Sequence, residues 1–363
     1  MKREDFISTI VYILMLAVVV LVGVFVIQPN TAEIVTSLGS NNSIAFILLC
    51  LLIGVVLNVI LVEIGHIIGA KIGGYGILST CFLGLSFTRN FENNGKFKLE
   101  FRNFDGLTGD TIIYPKKEKL NPYPYIILPL IFILIEFALA YSCFVLITNE
   151  DLAFLKYGMT IICTIGGIFV LYNYVPVKLD TTTDGYRWTL FAKKEDLEAY
   201  NIMLNIVYKC SKGEEIEDVK VFENPTDFSK EVNYYASFKL IKEQKYDEAI
   251  SIYDNILNSK IIREYNKTDI KFAKLFVLCL KNDPEGKVLY DSLTEIENKV
   301  LKRANTLITA RAYYAYLKAF DKVENEMETT KYKFEKTYKK ELLGFKEQEK
   351  EVFELVIDNQ ETK

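Results

Sequence analysis

The sequence predicts a mainly α-helical, polytopic membrane protein: four transmembrane helices with a cytoplasmic β-hairpin insertion, followed by a soluble α-helical, repeat-like domain. Three observations carry this expectation. Half of the 363 residues are hydrophobic and a quarter are charged, yet the apolar ones gather in four long runs before residue 180. Phe6 to Ile27, Ser43 to Val62 and Tyr157 to Val177 hold no charged residue, and Tyr125 to Ile147 holds only Glu136. Each run is near the ~20 residues that span a ~30 Å hydrocarbon core. Second, basic residues are unequally shared between the loops. Third, residues 186–363 are rich in Lys and Glu and read as water-soluble helix.

The first element, within 1–42, is a transmembrane helix and an outer loop. Its apolar run exceeds the ~7–15 residues of a signal-peptide core and lacks a small-x-small cleavage site, so it reads as a retained span. Residues 29–42 and 148–155 contain no Lys or Arg, whereas 71–121 contains Lys71, Arg89, Lys96, Lys98, Arg102, Lys116, Lys117 and Lys119. The positive-inside rule then puts both short loops outside, and the 71–121 loop and both termini in the cytoplasm, giving a multi-pass protein of the cell membrane. The membrane core covers 43–190, with spans at 43–66, 122–147 and 157–178. Within its loop at 77–115, Leu83, Leu85, Phe87, Arg89 and Phe91 alternate with smaller or polar residues. Asn94-Gly95 offers a hairpin turn, and Lys96 to Arg102 alternates strictly, so a β-hairpin is expected. Residues 191–363 form the soluble helical domain.

Composition excludes several classes. A net charge of −4 and a pI near 5.5 leave no basic face for a nucleic acid. Cys50, Cys81, Cys143, Cys163, Cys210 and Cys279 are scattered singly, without the CxxC pairs of zinc ribbons or thioredoxins. Abundant Ile, Lys, Asn and Tyr point to a low-GC bacterium. The lipid bilayer is therefore the one partner that composition alone implies.

The chain has one histidine, His66, at the inner end of the second span. An ionisable group there is expensive without a role. Glu63 lies one turn earlier and projects from the same face, as a metal ligand and a general base must if they are to meet one metal-bound water. Glu63-x-x-His66, followed by Ile-Ile-Gly-Ala-Lys-Ile-Gly-Gly, resembles the HExxH helix of the site-2 protease family, the intramembrane zinc metalloproteases. That family's second motif, Asn-x-x-Pro before Leu-Asp-Gly, is similar to Asn173-Tyr174-Val175-Pro176 followed by Leu179-Asp180 and Asp184-Gly185. The resemblance covers roughly 43–190 and implies Glu63 as the base, His66 and Asp184 as zinc ligands, and Asn173 as a substrate-holding residue. It also implies a hairpin, with Lys98 and Leu99, that presents substrate as an added strand. Asp184 is preferred to Asp180 because its glycine follows directly and lets the backbone approach closely.

The pattern departs from the family at Val62, where the first histidine of the motif would stand. Catalytic zinc usually takes three protein ligands and keeps a fourth position for water, and Val62 offers none. Cys50 is ~18 Å away along the same helix. Asp180, Glu136 and Cys81 are the conceivable substitutes. Zinc binding is accordingly expected to be weak or absent.

In the soluble part, helical repeats are expected from about 230. Lys245 to Leu257, with Ala249 and Tyr253 spaced to nest one helix on its neighbour, resembles the second helix of a tetratricopeptide repeat. Similar helix pairs are expected at 268–282 and 304–338. The functional expectation is a pseudoprotease that binds a membrane peptide or protein and recruits a cytoplasmic protein or peptide through its repeats. The alternatives are an active intramembrane metalloprotease cleaving a transmembrane or leader peptide, and a transporter-like or immunity protein on the same scaffold.

Overall fold

A computed structural model of the chain describes residues 3–91, 94–101, 109–177, 179, 182–216, 218–341 and 343–358. The chain divides into two compact units, Met1–Lys194 and Glu195–Lys363. The first unit opens with α1 (Arg3–Val22), continued by a π-helical turn to Ile27, then α2 (Thr31–Leu38) and α3 (Ser40–Ile72). Strands β1 (Tyr75–Phe82), β2 (Leu85–Asn90), β3 (Lys96–Phe101) and β4 (Gly109–Pro115) follow. The unit closes with α4 (Tyr123–Leu146), α5 (Ala153–Tyr174) and α6 (Asp184–Phe191). Four of its helical stretches, Phe6–Ile27, Asn42–Ile72, Tyr123–Leu146 and Ala153–Tyr174, are long and apolar enough to cross a membrane.

α3 is the pillar of this unit. At 33 residues it runs a further turn and a half beyond the end expected from the apolar run, and it stops only at Gly73-Gly74, where Gly74 adopts φ +89°. Its last turns carry glycine every fourth residue, and α4 leans directly on them. A Cβ on Gly65 would lie 2.5 Å from Pro129 Cα, one on Gly69 2.2 Å from the Pro124 carbonyl oxygen, and one on Gly73 2.2 Å from the Asn121 carbonyl oxygen. Small residues at this spacing let two helix backbones meet without intervening side chains. On another face of α3, Val59 packs with Ile165 and Phe169 of α5. α1 joins α5 through Val11 and Tyr172.

Two expectations change in detail. Residues 29–42 are not merely a loop. α2 lies within them, its buried Ile34 packing on Ala153 and Tyr157, while the Tyr157 hydroxyl donates to Glu33 at 2.8 Å. The hairpin is present as β2 and β3, paired from Leu85–Phe101 to Asn90–Lys96, with Asn94 and Gly95 at φ 54° and 69° as the turn requires. It belongs, however, to a four-stranded antiparallel sheet of order β3-β2-β1-β4. β1 is buried along almost its whole length and so shows no alternation to read.

The second unit continues from α7 (Lys194–Ser211) through α8 (Ser229–Lys242), α9 (Tyr246–Asn258), α10 (Thr268–Leu280), α11 (Glu285–Asp291) and α12 (Glu295–Arg303). It ends with α13 (Leu307–Tyr316), α14 (Glu324–Lys340) and α15 (Lys346–Asp358). Its regular elements are all helical among the described residues. α8 and α9 form a consecutive pair turned at Gln244, which takes φ 61°, and Ala249 and Tyr253 are both fully buried. Arg311 is buried as well. Its guanidinium lies 4.3 Å from the centre of the Phe276 ring, pairs with Glu349 and donates to the Tyr234 hydroxyl at 2.9 Å. α15 is thereby pinned to α13 and α8.

The glycine contact between α3 and α4 gives a direct test. Gly69→Leu must push the α4 backbone away, and overpacking of this kind costs roughly 1–3 kcal/mol. The thermal unfolding midpoint of the full chain in detergent is expected to fall. Gly23→Leu, at a position with nothing within 4 Å, is expected to leave it unchanged.

Candidate functional site

Glu63 and His66 are one turn apart near the end of α3, and both are buried. The imidazole stands between two acids. His66 Nε2 lies 2.9 Å from Asp184 Oδ2, and His66 Nδ1 lies 3.4 Å from Glu63 Oε2. With a proton on each nitrogen the ring donates in both directions. One face of the ring stacks on Tyr125 of α4, centroid to centroid 4.6 Å, and the Tyr125 hydroxyl donates to the Thr111 carbonyl at 2.9 Å.

Asp184 reaches this point because α6 begins on it. Thr183 caps the helix, its hydroxyl accepting from the Tyr186 N–H at 3.3 Å, and Gly185 lets the helix start nest against the end of α5. A Cβ on Gly185 would lie 2.5 Å from Tyr174 backbone atoms. Asn173 and Asp184 bond reciprocally. The Asn173 amide donates to Asp184 Oδ2 at 2.7 Å, and the Asp184 N–H donates to Asn173 Oδ1 at 3.1 Å. The other carboxylate oxygen, Oδ1, accepts from Arg187 at 3.0 Å. Burial pushes the Asp184 carboxyl up, but the facing imidazole and the Arg187 guanidinium outweigh it and hold the group below its usual value.

Glu63 is held from the sheet. Thr111 of β4 donates to Glu63 Oε2 at 2.7 Å, and the Thr111 hydroxyl also lies 2.9 Å from that of Thr80 on β1. Gly109, at the start of β4, sits where a Cβ would be 1.9 Å from the Cys81 carbonyl oxygen and 3.5 Å from Glu63 Oε1. Thr80 also lines a cleft of about 480 Å³ between the sheet and the end of α3, whose other walls include Ile67, Lys71, Phe87, Arg89 and Phe97. The cleft is thus one hydroxyl relay from Glu63.

Of the residues expected at the site, Glu63, His66, Asp184 and Asn173 come together. Val62 is buried on α3 and brings no donor. The three conceivable substitutes do not join them among the described residues. Glu136 is bonded to Asn58, at 3.3 Å, and Asn58 precedes His66 by eight residues, ~12 Å of helix. Cys81 is buried on β1, and strand alternation turns its thiol to the face of Ser79, opposite Thr80. Asp180 lies outside the described residues. Lys98 and Leu99 are exposed on β3, an edge strand of the sheet, and not in the His66 cluster. Two participants were not foreseen. Arg187 is offset from Asp184 by one helical turn, a spacing that suits an ion pair. Thr111 carries no local signal.

His66 and Asp184 bring two donors to one point, where a catalytic zinc usually takes three protein ligands. Here the two acids flank opposite nitrogens of one ring, so a metal on His66 Nε2 would meet Asp184 and not Glu63. Asp184 already carries a guanidinium. Among the described residues, no group of three or more His, Cys, Asp or Glu side chains is disposed to hold a metal ion. What the arrangement can do is fix α3, β4, α5 and α6 in one alternating chain of acid and base.

Thr111→Val removes a buried hydrogen bond to Glu63 and is expected to lower stability by about 1 kcal/mol. Thr111→Ser should recover most of it. Denaturant unfolding of the full chain followed by circular dichroism reads both.

Compared with protein-family models, curated proteins and solved structures, the chain gives no match.

Proposed function

We propose that the four apolar helices cross a membrane with both chain ends in the cytoplasm, and that the chain is a degenerate site-2-protease-like protein that grips a membrane peptide or protein without cleaving it. One observation carries the choice against a working protease. Asp184, the carboxylate expected to hold zinc, is shared among His66, Asn173 and Arg187, beside a valine where the family has histidine. The guanidinium supplies positive charge where a metal would otherwise be needed, so zinc binding is weak or absent.

Membrane crossing is supported by the apolar side chains left outside the bundle: Phe25 is 71% exposed, Leu48 61% and Leu146 77%. Apolar surface on this scale calls for lipid. Peptide binding is supported by the cleft beside Thr80 and by the exposed edge of β3. There a partner strand would add to the sheet, with Lys98 and Leu99 presenting a charged and an apolar side chain to it. The helical second unit is read as a tetratricopeptide-like module that recruits a cytoplasmic protein or peptide. The nesting of Ala249 and Tyr253 between packed helices supports that reading.

Elemental analysis of the purified chain tests the central point. The native protein is expected to carry substoichiometric zinc, and Val62→His combined with Arg187→Gln is expected to raise the content several-fold. Near-stoichiometric zinc in the native chain would overturn the proposal.

A further inference from the structure

A second buried polar group lies between the apolar helices, apart from His66. Asn58 of α3 is 0% exposed and Glu136 of α4 is 5% exposed. The Asn58 amide nitrogen donates to the Gly54 carbonyl at 2.9 Å, the Ile162 carbonyl at 3.2 Å and Glu136 Oε1 at 3.3 Å. These three acceptors fix the orientation of the amide, because flipping it would set its oxygen against all of them. Asn58 Oδ1 must then face the other way. Both Asn58 Oδ1 and Glu136 Oε2 are buried without a hydrogen-bond partner. They converge on one small space, lying 2.6 Å and 2.8 Å from the point where a Cβ on Gly166 of α5 would sit.

Two acceptor oxygens turned into a single buried space repel each other unless a hydrogen lies between them. The surroundings offer few donors. α3 contributes Asn58, and α5 contributes Gly166 and Cys163, whose thiol donates to the backbone carbonyl of Glu136 at 3.6 Å. Among the described residues no Lys, Arg or His forms an ion pair with Glu136. A bare carboxylate would therefore be an unpaired buried charge. A hard metal cation collects about six oxygens. Here the two nearby carbonyls, of Gly54 and Ile162, are already turned towards the Asn58 amide.

We infer that the crossing of α3, α4 and α5 is a proton-binding site, in which Glu136 is a neutral acid whose Oε2–H donates to Asn58 Oδ1 across the space that Gly166 leaves open. The only ligand is H⁺, taken from solvent when the acid forms and returned to it when the acid ionises. The inference rests on burial and hydrogen bonding at this crossing, and it is independent of whether His66 holds zinc or the cleft holds a peptide.

Glu136→Gln is the informative variant, because its amide places an N–H donor where the acid places O–H and cannot ionise. Thermal unfolding of the full chain in detergent, followed across pH, should show native and E136Q unfolding together in acid, where folded and unfolded chains both keep the proton. The native chain should fall below E136Q as the pH is raised. Infrared difference spectra at neutral pH should show a protonated-carboxyl band in the native chain that E136Q lacks. The inference is overturned if E136Q is less stable by the same margin at every pH, if no such band is lost, or if stability at fixed pH depends on sodium concentration, which would assign the space to a metal cation. Should E136Q fail to fold, Asn58→Leu decides. It removes the acceptor, and the band must move to the higher frequency of a carboxyl that donates to nothing; an unmoved band overturns the inference.

Discussion

A polar side chain held between apolar helices has no water to turn to, so the protein itself must supply each of its partners. That constraint organises the first unit. Glu63 is closed by Thr111 of β4, His66 by the Tyr125 ring of α4 and by Asp184 of α6, and Asp184 by Asn173 of α5 and Arg187 of α6. The partners come from β4, α4, α5 and α6, so satisfying two residues on α3 fixes the sheet, the end of α5 and the start of α6 together. The glycines at 65, 69 and 73 make this possible. By bringing α4 onto the α3 backbone, they set Tyr125 within stacking distance of the imidazole.

The order of charges along this chain matters as much as its closure. Glu63, His66, Asp184 and Arg187 alternate acid and base, and each interior member touches one neighbour on either side. A divalent cation entering at His66 would have to part the imidazole from Asp184 and displace the guanidinium, and it would gain only two protein donors. Separating a buried, well-bonded ion pair is costly, and a coordination sphere short of one ligand returns less than a complete one. Under the proposed reading Val62 and Arg187 would act in the same direction, and introducing histidine at position 62 alone would leave the competing cation in place.

The apolar helices were legible in the sequence because a lipid-length, charge-free run needs no period to be recognised. The hairpin was legible because β2 and β3 alternate and Asn94-Gly95 takes the two left-handed conformations a tight turn demands. β1 was not, since it is buried on both faces and Ser79 and Thr80 interrupt any apolar–polar alternation along it. α2 was not, because its one buried side chain, Ile34, is explained only by α5. At the site, Glu63 and His66 were legible from helical spacing, and Asp184 from its following glycine. Thr111 was beyond reach, being 48 residues from the carboxylate it serves. Glu136 shows the same limit from the other side. The sequence gives its depth in an apolar run but not the direction in which it points, and its partner Asn58 lies 78 residues earlier.

The sheet carries the remaining consequence. β1 and β4 are anchored to α3 through Thr80, Thr111 and Glu63, whereas β3 lies at the far edge with Phe97, Leu99 and Phe101 exposed, Phe101 at 90%. An edge strand with apolar side chains is a template for further pairing, and natural sheets usually blunt such edges. Here Lys96 and Lys98 alternate with the apolar residues, so one face is charged while the other stays greasy. Under the proposed membrane reading, the apolar face is tolerable at the lipid boundary, and the opposite face carries Lys96, Lys98 and Glu100. A partner strand with acidic residues opposite the two lysines would pair with them. The selectivity of binding would then be set at β3, an edge strand among the described residues, while Thr111 ties the opposite edge, β4, to Glu63 of α3.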